Sequence, residues 1–352
     1  MYTQDPLSAL DAITEAQKIA FAPMLFQAAI SLRNTGILSY LDQQGKNGAT
    51  LEDISTRCSL DEYAVSILLD MGLSGRIMTS ASNAYYLTKI GHFLLHDKMT
   101  NVNMDFTQHV CYQGLFYLEH ALKEGKPSGL KVFGDWPTIY PALSVLPETT
   151  RESWFAFDHY YSDGAFTAAL PHVFASRPAT LYDVGGNTGK WALHCCQYDA
   201  NVTVTVLDLP QQIALARENI DNAGLSQRVK LHAVDMLSNA PLPNEADIWW
   251  MSQFLDCFSP EQIITMLGNI AQAMKPGARL CIMELFWDAQ KFEAAAFSLN
   301  ATSLYFTCMA NGNSRFYSAE KFYQYLDCAG FQVDERYDNL GIGHTLLICN
   351  KK

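Results

Sequence analysis

The seven residues Asp183-Val184-Gly185-Gly186-Asn187-Thr188-Gly189 constrain this chain more than any others. Thr180 to Val184 reads as a short strand and Gly189 to Gln197 as a helix, so the glycines fall at a strand-to-helix crossing. Glycine there lets the backbone turn tightly and approach a ligand. Strands and helices then alternate: Val202–Leu207 strand, Pro210–Ala223 helix, Val229–Ala233 and Ala246–Met251 strands. A helix follows with Ser259 as cap, Pro260 at its first position and Gln262 at capping-box spacing. It stops at Lys275-Pro276-Gly277, and Arg279–Glu284 is the next strand. A helix over 318–329 and strands Phe331–Tyr337 and Thr345–Cys349 close the region. This order predicts an α/β domain around an open, largely parallel sheet.

The loop does not suit a dinucleotide. That use wants GxGxxG, and here an acid precedes glycines spaced differently, which favours a cationic amino-acid ligand over a pyrophosphate. Two further acids fall at strand ends. Asp208, in Leu207-Asp208-Leu209-Pro210, is placed to accept hydrogen bonds from ribose hydroxyls. Asp235, followed by Met236, is placed to hold an adenine amino group with the thioether packed on the ring.

The first hundred residues read differently. Residues 7–41 are helical, with Gly36 ending one helix. Thr50 caps a helix with an acidic first turn, Ser59 to Glu62 opens another, and Gly72–Thr79 with Ala84–Thr88 reads as a hairpin. The order is that of a winged helix. Its second helix carries Asp61, Glu62 and Asp70 and no base, so dimerisation is expected rather than DNA binding. Residues 100–175 read as helical and aromatic. The expected domains are 1–100, 101–175 and 176–352.

Composition narrows the function. A net charge of −12 argues against broad phosphate contact, so no nucleic-acid partner is expected. Only 17% of residues are charged against 49% hydrophobic, which suits a chain that buries surface against a partner copy. The nine cysteines form no CxxC pair, so reduced, buried thiols are expected. With no basic and apolar leader and no long apolar run, a cytoplasmic protein without a membrane contact is expected.

Taken in order, DVGGNTGK, VLDLP, AVDML, WMSQFLDCFS and MKPGA resemble the motifs of the small-molecule O-methyltransferases of plants and bacteria. The resemblance covers nearly the whole chain. It implies a Rossmann-like class I methyltransferase domain behind an N-terminal winged-helix dimerisation domain, a homodimer, no metal, and S-adenosylmethionine as cofactor with S-adenosylhomocysteine as product. The implied cofactor residues are Asp183, Gly185, Gly186, Asp208, Leu209, Asp235, Met236 and Ser252. The implied acceptor is a small, phenolic molecule. Phe157, Asp158 and Tyr161 fall at the family's first acceptor-lining positions, and Tyr305, Phe306, Met309 and Asn313 form a later wall.

Aligned through Trp249 to Ser252, the family's histidine base falls on Gln253, which cannot take a proton at neutral pH. Its first supporting acid matches Glu284, and its second falls on Ser314. Three routes stay open: a histidine such as His159, His109 or His344 substitutes; Glu284 acts directly; or the nucleophile is a ring carbon. Gln253, Glu284 and His159 are the catalytic candidates. The alternatives to methyl transfer are a cofactor-binding protein without catalysis and a relative with non-methyl chemistry.

Overall fold

The computed structural model describes residues 2, 5–238 and 240–352. The chain divides into two compact units, Met1–His109 and Val110–Lys352.

In the first unit, Thr50 and Asp53 form the capping box that starts the Leu51–Cys58 helix, and the Asp61 side chain caps Glu62–Ser74. Strands β1 (Met78–Ala81) and β2 (Ala84–Leu87) pair antiparallel. Ser82 and Asn83 turn the chain between them, both in the left-handed region that such hairpins require. The hairpin begins later than the sequence reading expects. Gly72 belongs to the preceding helix, where an added Cβ would lie 2.6 Å from the Met78 Cε, so this glycine serves close packing rather than a strand. Thr88 caps the next helix, Lys89–His96, instead of ending β2. Leu32, Leu38, Leu41, Ile54 and Leu69 form the core. The Ala9–Ala20 helix buries nothing, and Leu10, Ile13 and Ile19 stand exposed.

The second unit is built on seven strands: β3 (Thr180–Val184), β4 (Thr203–Asp208), β5 (Val229–Ala233), β6 (Ile248–Ser252), β7 (Arg279–Glu284), β8 (Phe331–Leu340) and β9 (His344–Lys351). They lie in the order β5-β4-β3-β6-β7-β9-β8. The first five run parallel, and β9 is antiparallel to both β7 and β8. The interior strands are buried on both faces. Alternate residues serve opposite layers, Tyr182 and Trp249 packing with the Pro260–Ala273 helix side, Leu181 and Trp250 with the Phe166–Val173 and Lys190–Tyr198 side. From β3 the chain order runs outward in both directions, to β4 on one side and β6 on the other. The carboxyl ends of β3 and β6 therefore flank the crevice where open α/β sheets bind ligands.

No helix among the described residues is long and apolar enough to cross a membrane. All nine cysteines are free thiols.

Candidate active site

Five parallel strands deliver polar residues to one edge of the sheet. Across it, in spatial order, come Asp235 just after β5, Asp208 ending β4, Asp183 near the end of β3, Ser252 and Gln253 at the end of β6, and Glu284 ending β7.

The glycine loop explains its own composition. Gly185 has φ 71° and Gly189 has φ 78°. A Cβ on Gly185 would strike the Phe254 ring at 2.2 Å, and one on Gly186 would sit 2.5 Å from Asp183 Oδ2. The Gly185 amide donates to the Leu207 carbonyl at 2.8 Å, tying the loop to β4. Asp208 holds the loop from the other side: its Oδ2 accepts from the Asn187 amide at 2.8 Å and its Oδ1 from the Leu209 amide at 2.7 Å. Burial raises the Asp208 carboxyl above its ordinary range, opposed by those two amides.

Asp183 is 2% exposed, and its Oδ2 has no hydrogen-bond partner among the described residues. Burial, with the Asp208 charge adding, pushes it up to about 8. A buried carboxyl oxygen without a partner has its hydrogen-bonding capacity still to be met. It borders a pocket open to solvent, also lined by Gly185, Gly186, Ser252, Gln253, His159 and Asp158. Ser252 Oγ and Gln253 Oε1 are likewise buried without partners. The pocket is thus a cluster of waiting acceptors around a bare loop.

Asp208, Leu209, Asp235 and Met236 do not line this pocket. Asp208 reaches it through Asn187. The Val234 amide donates to the Asp208 carbonyl at 2.8 Å, which sets the Asp235 segment beside the end of β4. Asp235 is exposed and accepts from the Leu237 amide, while Met236 is buried.

Gln253 and Glu284 border different spaces. Gln253, with φ 45° and its amide donating to the Met283 carbonyl at 3.0 Å, faces the glycine-loop pocket. Glu284 lines a small recess with Asp256, Phe286, Tyr317 and Phe322. Its Oε1 accepts from the Phe254 and Leu255 amides at 3.2 and 3.0 Å, and its Oε2 is buried without a partner among the described residues. Burial holds the Glu284 carboxyl well above the ordinary range, and the charge of Asp256 adds to this.

Asp256 is the buried acid at the site that sequence reasoning missed. It is 4% exposed in the short turn Leu255–Cys257. Burial lifts it to about 7, with the Asp158 charge adding and the Cys257 thiol, 3.6 Å away, opposing. Asp158 lines the glycine-loop pocket, while Asp256 and Glu284 share the neighbouring recess.

The remaining candidates separate. His159 lines the pocket, but the Lys190 ammonium lies 3.0 Å from its Nδ1. His344 is wholly buried at the start of β9, and burial lowers it to about 4. His109 closes the first unit and is not part of the pocket lining. Phe157 and Tyr161 pack with ring centroids 4.6 Å apart and planes tilted by 41° on the Glu148–Ser162 helix. Tyr305 accepts from the Trp154 indole at 2.7 Å, and Phe306 follows it. Met309 is wholly buried against Gly114 and Gly129, where added Cβ atoms would come within 1.9 and 2.7 Å of its sulfur; it is core rather than pocket wall. Asn313 is exposed, its amide donating to Asn311.

A parallel sheet with a glycine loop at its switch point and acids on successive strand ends defines a Rossmann-like domain of the class I methyltransferase type. An O-methyltransferase domain model matches residues 165–332, and a Dimerisation2-like domain model matches residues 14–85. The L-tyrosine C(3)-methyltransferase of Streptomyces lavendulae is 24% identical over 315 residues, 88% of this chain and 85% of that one. The N,N-dimethyltransferase OxyT of Streptomyces rimosus is 26% identical over 345 residues, 96% of this chain and 97% of that one. The apo structure of the methyltransferase SibL superposes with a TM-score of 0.72 at 24% identity, covering 95% of this chain and 98% of SibL. The chain carries an O-methyltransferase domain over residues 165–332 behind a Dimerisation2-like domain and is an S-adenosylmethionine-dependent methyltransferase.

Proposed function

We propose that this enzyme methylates a small aromatic acceptor, at a hydroxyl or at the ring carbon beside one, and that the buried carboxyls of Asp256 and Glu284 take the acceptor's proton. The two buried acids Asp256 and Glu284 that share one recess, with Asp158 lining the glycine-loop pocket, are the observation that carries this reading.

The residues present fit the cofactor. A bare loop that tolerates no Cβ and a buried, unpartnered carboxylate oxygen suit an amino-acid ammonium. Asp183 receives that ammonium, with Ser252 beside it. Asp208, with Leu209, would hold the ribose hydroxyls, and Asp235, with Met236, the adenine. Once bound, the cofactor supplies a methyl group on a sulfonium, open to in-line displacement.

The chain's own task is then alignment and proton transfer. Phe157, Tyr161, Tyr305 and Phe306 give a flat acceptor an aromatic wall. Gln253 orients the acceptor's hydroxyl without titrating. At neutral pH, Asp256 and Glu284 are too close and too buried for both to ionise, so the pair holds one proton and has room for another. The methyl and the acceptor for the bonding electrons would both come from the bound cofactor, and the carboxylate's own part is to accept the proton that the acceptor gives up. The relatives' names, one a ring C-methyltransferase and one an N,N-dimethyltransferase, support an acceptor atom set by pocket wall rather than by fold.

A second copy of the chain is the proposed partner. Leu10, Ile13 and Ile19 are 60–78% exposed on the first helix, within the segment that the dimerisation-type model reaches or adjoins.

Assay with isotopically labelled methyl donor against phenols and anilines tests the reading. Turnover is expected to rise with pH through about 7 as the pair ionises. Glu284→Gln and Asp256→Asn each reduce it about 10²-fold or more, the usual worth of a general base, with cofactor affinity unchanged by calorimetry. Wild-type turnover in both variants overturns the carboxylate assignment, and no transfer to any aromatic acceptor overturns the substrate class.

A further inference from the structure

The first unit carries a set of potential ligands that methyl transfer leaves unused. His92 and His96 stand four residues apart on the Lys89–His96 helix, so both imidazoles leave the same face one turn apart. Their ring centroids are 4.5 Å apart. Asp42, from the neighbouring Ile37–Gln44 helix, meets both: its Oδ2 lies 2.8 Å from His96 Nε2 and its Oδ1 3.5 Å from His92 Nδ1. One ligating atom from each of the three residues lies within 4.8 Å of the other two.

An ion pair alone accounts poorly for this arrangement. Exposed pairs contribute little, and a carboxylate satisfied by one imidazole gains little from a second. A divalent cation accounts for all three. Ligands bound at ~2.0–2.2 Å around a tetrahedral ion stand ~3.4 Å apart, a spacing these atoms reach through small ring and carboxylate rotations. The donor set is two imidazoles and one carboxylate with no thiolate. It suits zinc and its borderline neighbours and not magnesium or calcium, which take oxygen. The side chains are 34–58% exposed, so the ion has an entry path and room for water in its remaining positions.

We propose that Asp42, His92 and His96 form a zinc site that clasps the Ile37–Gln44 helix to the Lys89–His96 helix. Leu38 and Leu41 of the Ile37–Gln44 helix are buried in the core, and the half-buried Asp42, one turn after Leu38, brings the ion to the rim of that packed face. Three ligands from two helices exist together only in the folded unit, so zinc stabilises that unit. None of the three lines the glycine-loop pocket, and the site has no part in methyl transfer.

The test uses the full-length protein, stripped of metal with chelator and kept reduced. Zinc titration by calorimetry is expected to show one strong site per chain and to raise the thermal midpoint, with magnesium doing neither. In His92→Ala/His96→Ala that site weakens at least a hundredfold and the thermal shift disappears, while cofactor binding stays as in wild type. Cobalt separates this site from the nine cysteines, since a histidine and carboxylate site gives visible ligand-field bands without thiolate charge transfer in the near ultraviolet. Zinc binding of equal strength and stoichiometry in the double variant overturns the proposal. A thiolate band on the strong cobalt site overturns it as well.

Discussion

Two loops leave neighbouring strands at the switch point and solve the same problem differently. After β3 the chain turns through glycines, Gly185 at φ 71° and Gly189 at φ 78°, and the ligand surface is backbone. After β6 it turns through Gln253 at φ 45°, a conformation that costs a non-glycine residue about 1 kcal/mol, and the surface beyond is side chain. The first loop is held by an acid whose two oxygens are both met by amides, Asp208. The second is held by Glu284, which has one oxygen met and one left over, with a second acid beside it. A site made of backbone is rigid and fixed in what it binds. A site made of unsatisfied acids is chemically poised, because a low-dielectric interior amplifies every change of charge.

The largest effect should come from putting a side chain into the backbone site. Gly186→Ala places a Cβ 2.5 Å from Asp183 Oδ2 and 2.9 Å from Val206. Cofactor affinity should fall about a hundredfold, roughly 3 kcal/mol, measured by calorimetry. An unchanged constant would break the contrast by showing that this loop yields.

A smaller effect tests the buried acid between the loops. The folded apoprotein keeps a proton on Asp183 until about pH 8, whereas the unfolded chain releases it near ~4. Between those values the native state binds more protons than the unfolded one, so stability declines as pH rises through the window. Asp183→Asn should flatten part of the fall in thermal midpoint between pH 5 and 9 and weaken cofactor binding most at high pH. Equal pH slopes in variant and wild type would show that this carboxyl is already charged.

The smallest effect lies at the second turn. Gln253→Gly should leave stability within about 0.5 kcal/mol of wild type, since relief of strain offsets the added freedom of the unfolded chain. Gln253→Val should cost about 1–2 kcal/mol there. Equal unfolding midpoints for the two variants would mean that the turn carries no strain.

The same contrast decides what is readable from sequence. Backbone demands leave a compositional trace: the expected strands at Thr180–Val184, Val229–Ala233 and Arg279–Glu284 coincide with the observed ones, and the loop between β3 and the next helix is marked by its glycines. Side-chain sites leave none. Asp256 looks like an ordinary turn acid between Leu255 and Cys257, and only its burial beside Glu284 gives it chemistry. Met309 reads as a pocket residue until Gly114 and Gly129, nearly two hundred positions earlier, close on it. Asp42 lies fifty residues from His92, beyond any local spacing rule.

Under the glycine loop, the indoles of Trp191 and Trp250 stack 3.8 Å apart and 10° from parallel, and both border the pocket. Two transition dipoles held that close share their excitation. The pair will split its ultraviolet absorption into an exciton couplet and emit weakly as long as the stack is intact. The enzyme thus contains an optical gauge of its own pocket, readable by circular dichroism and stopped-flow fluorescence without any label. A ligand that only fills the space will perturb the band, and one that moves the Lys190–Tyr198 helix against β6 will collapse the couplet.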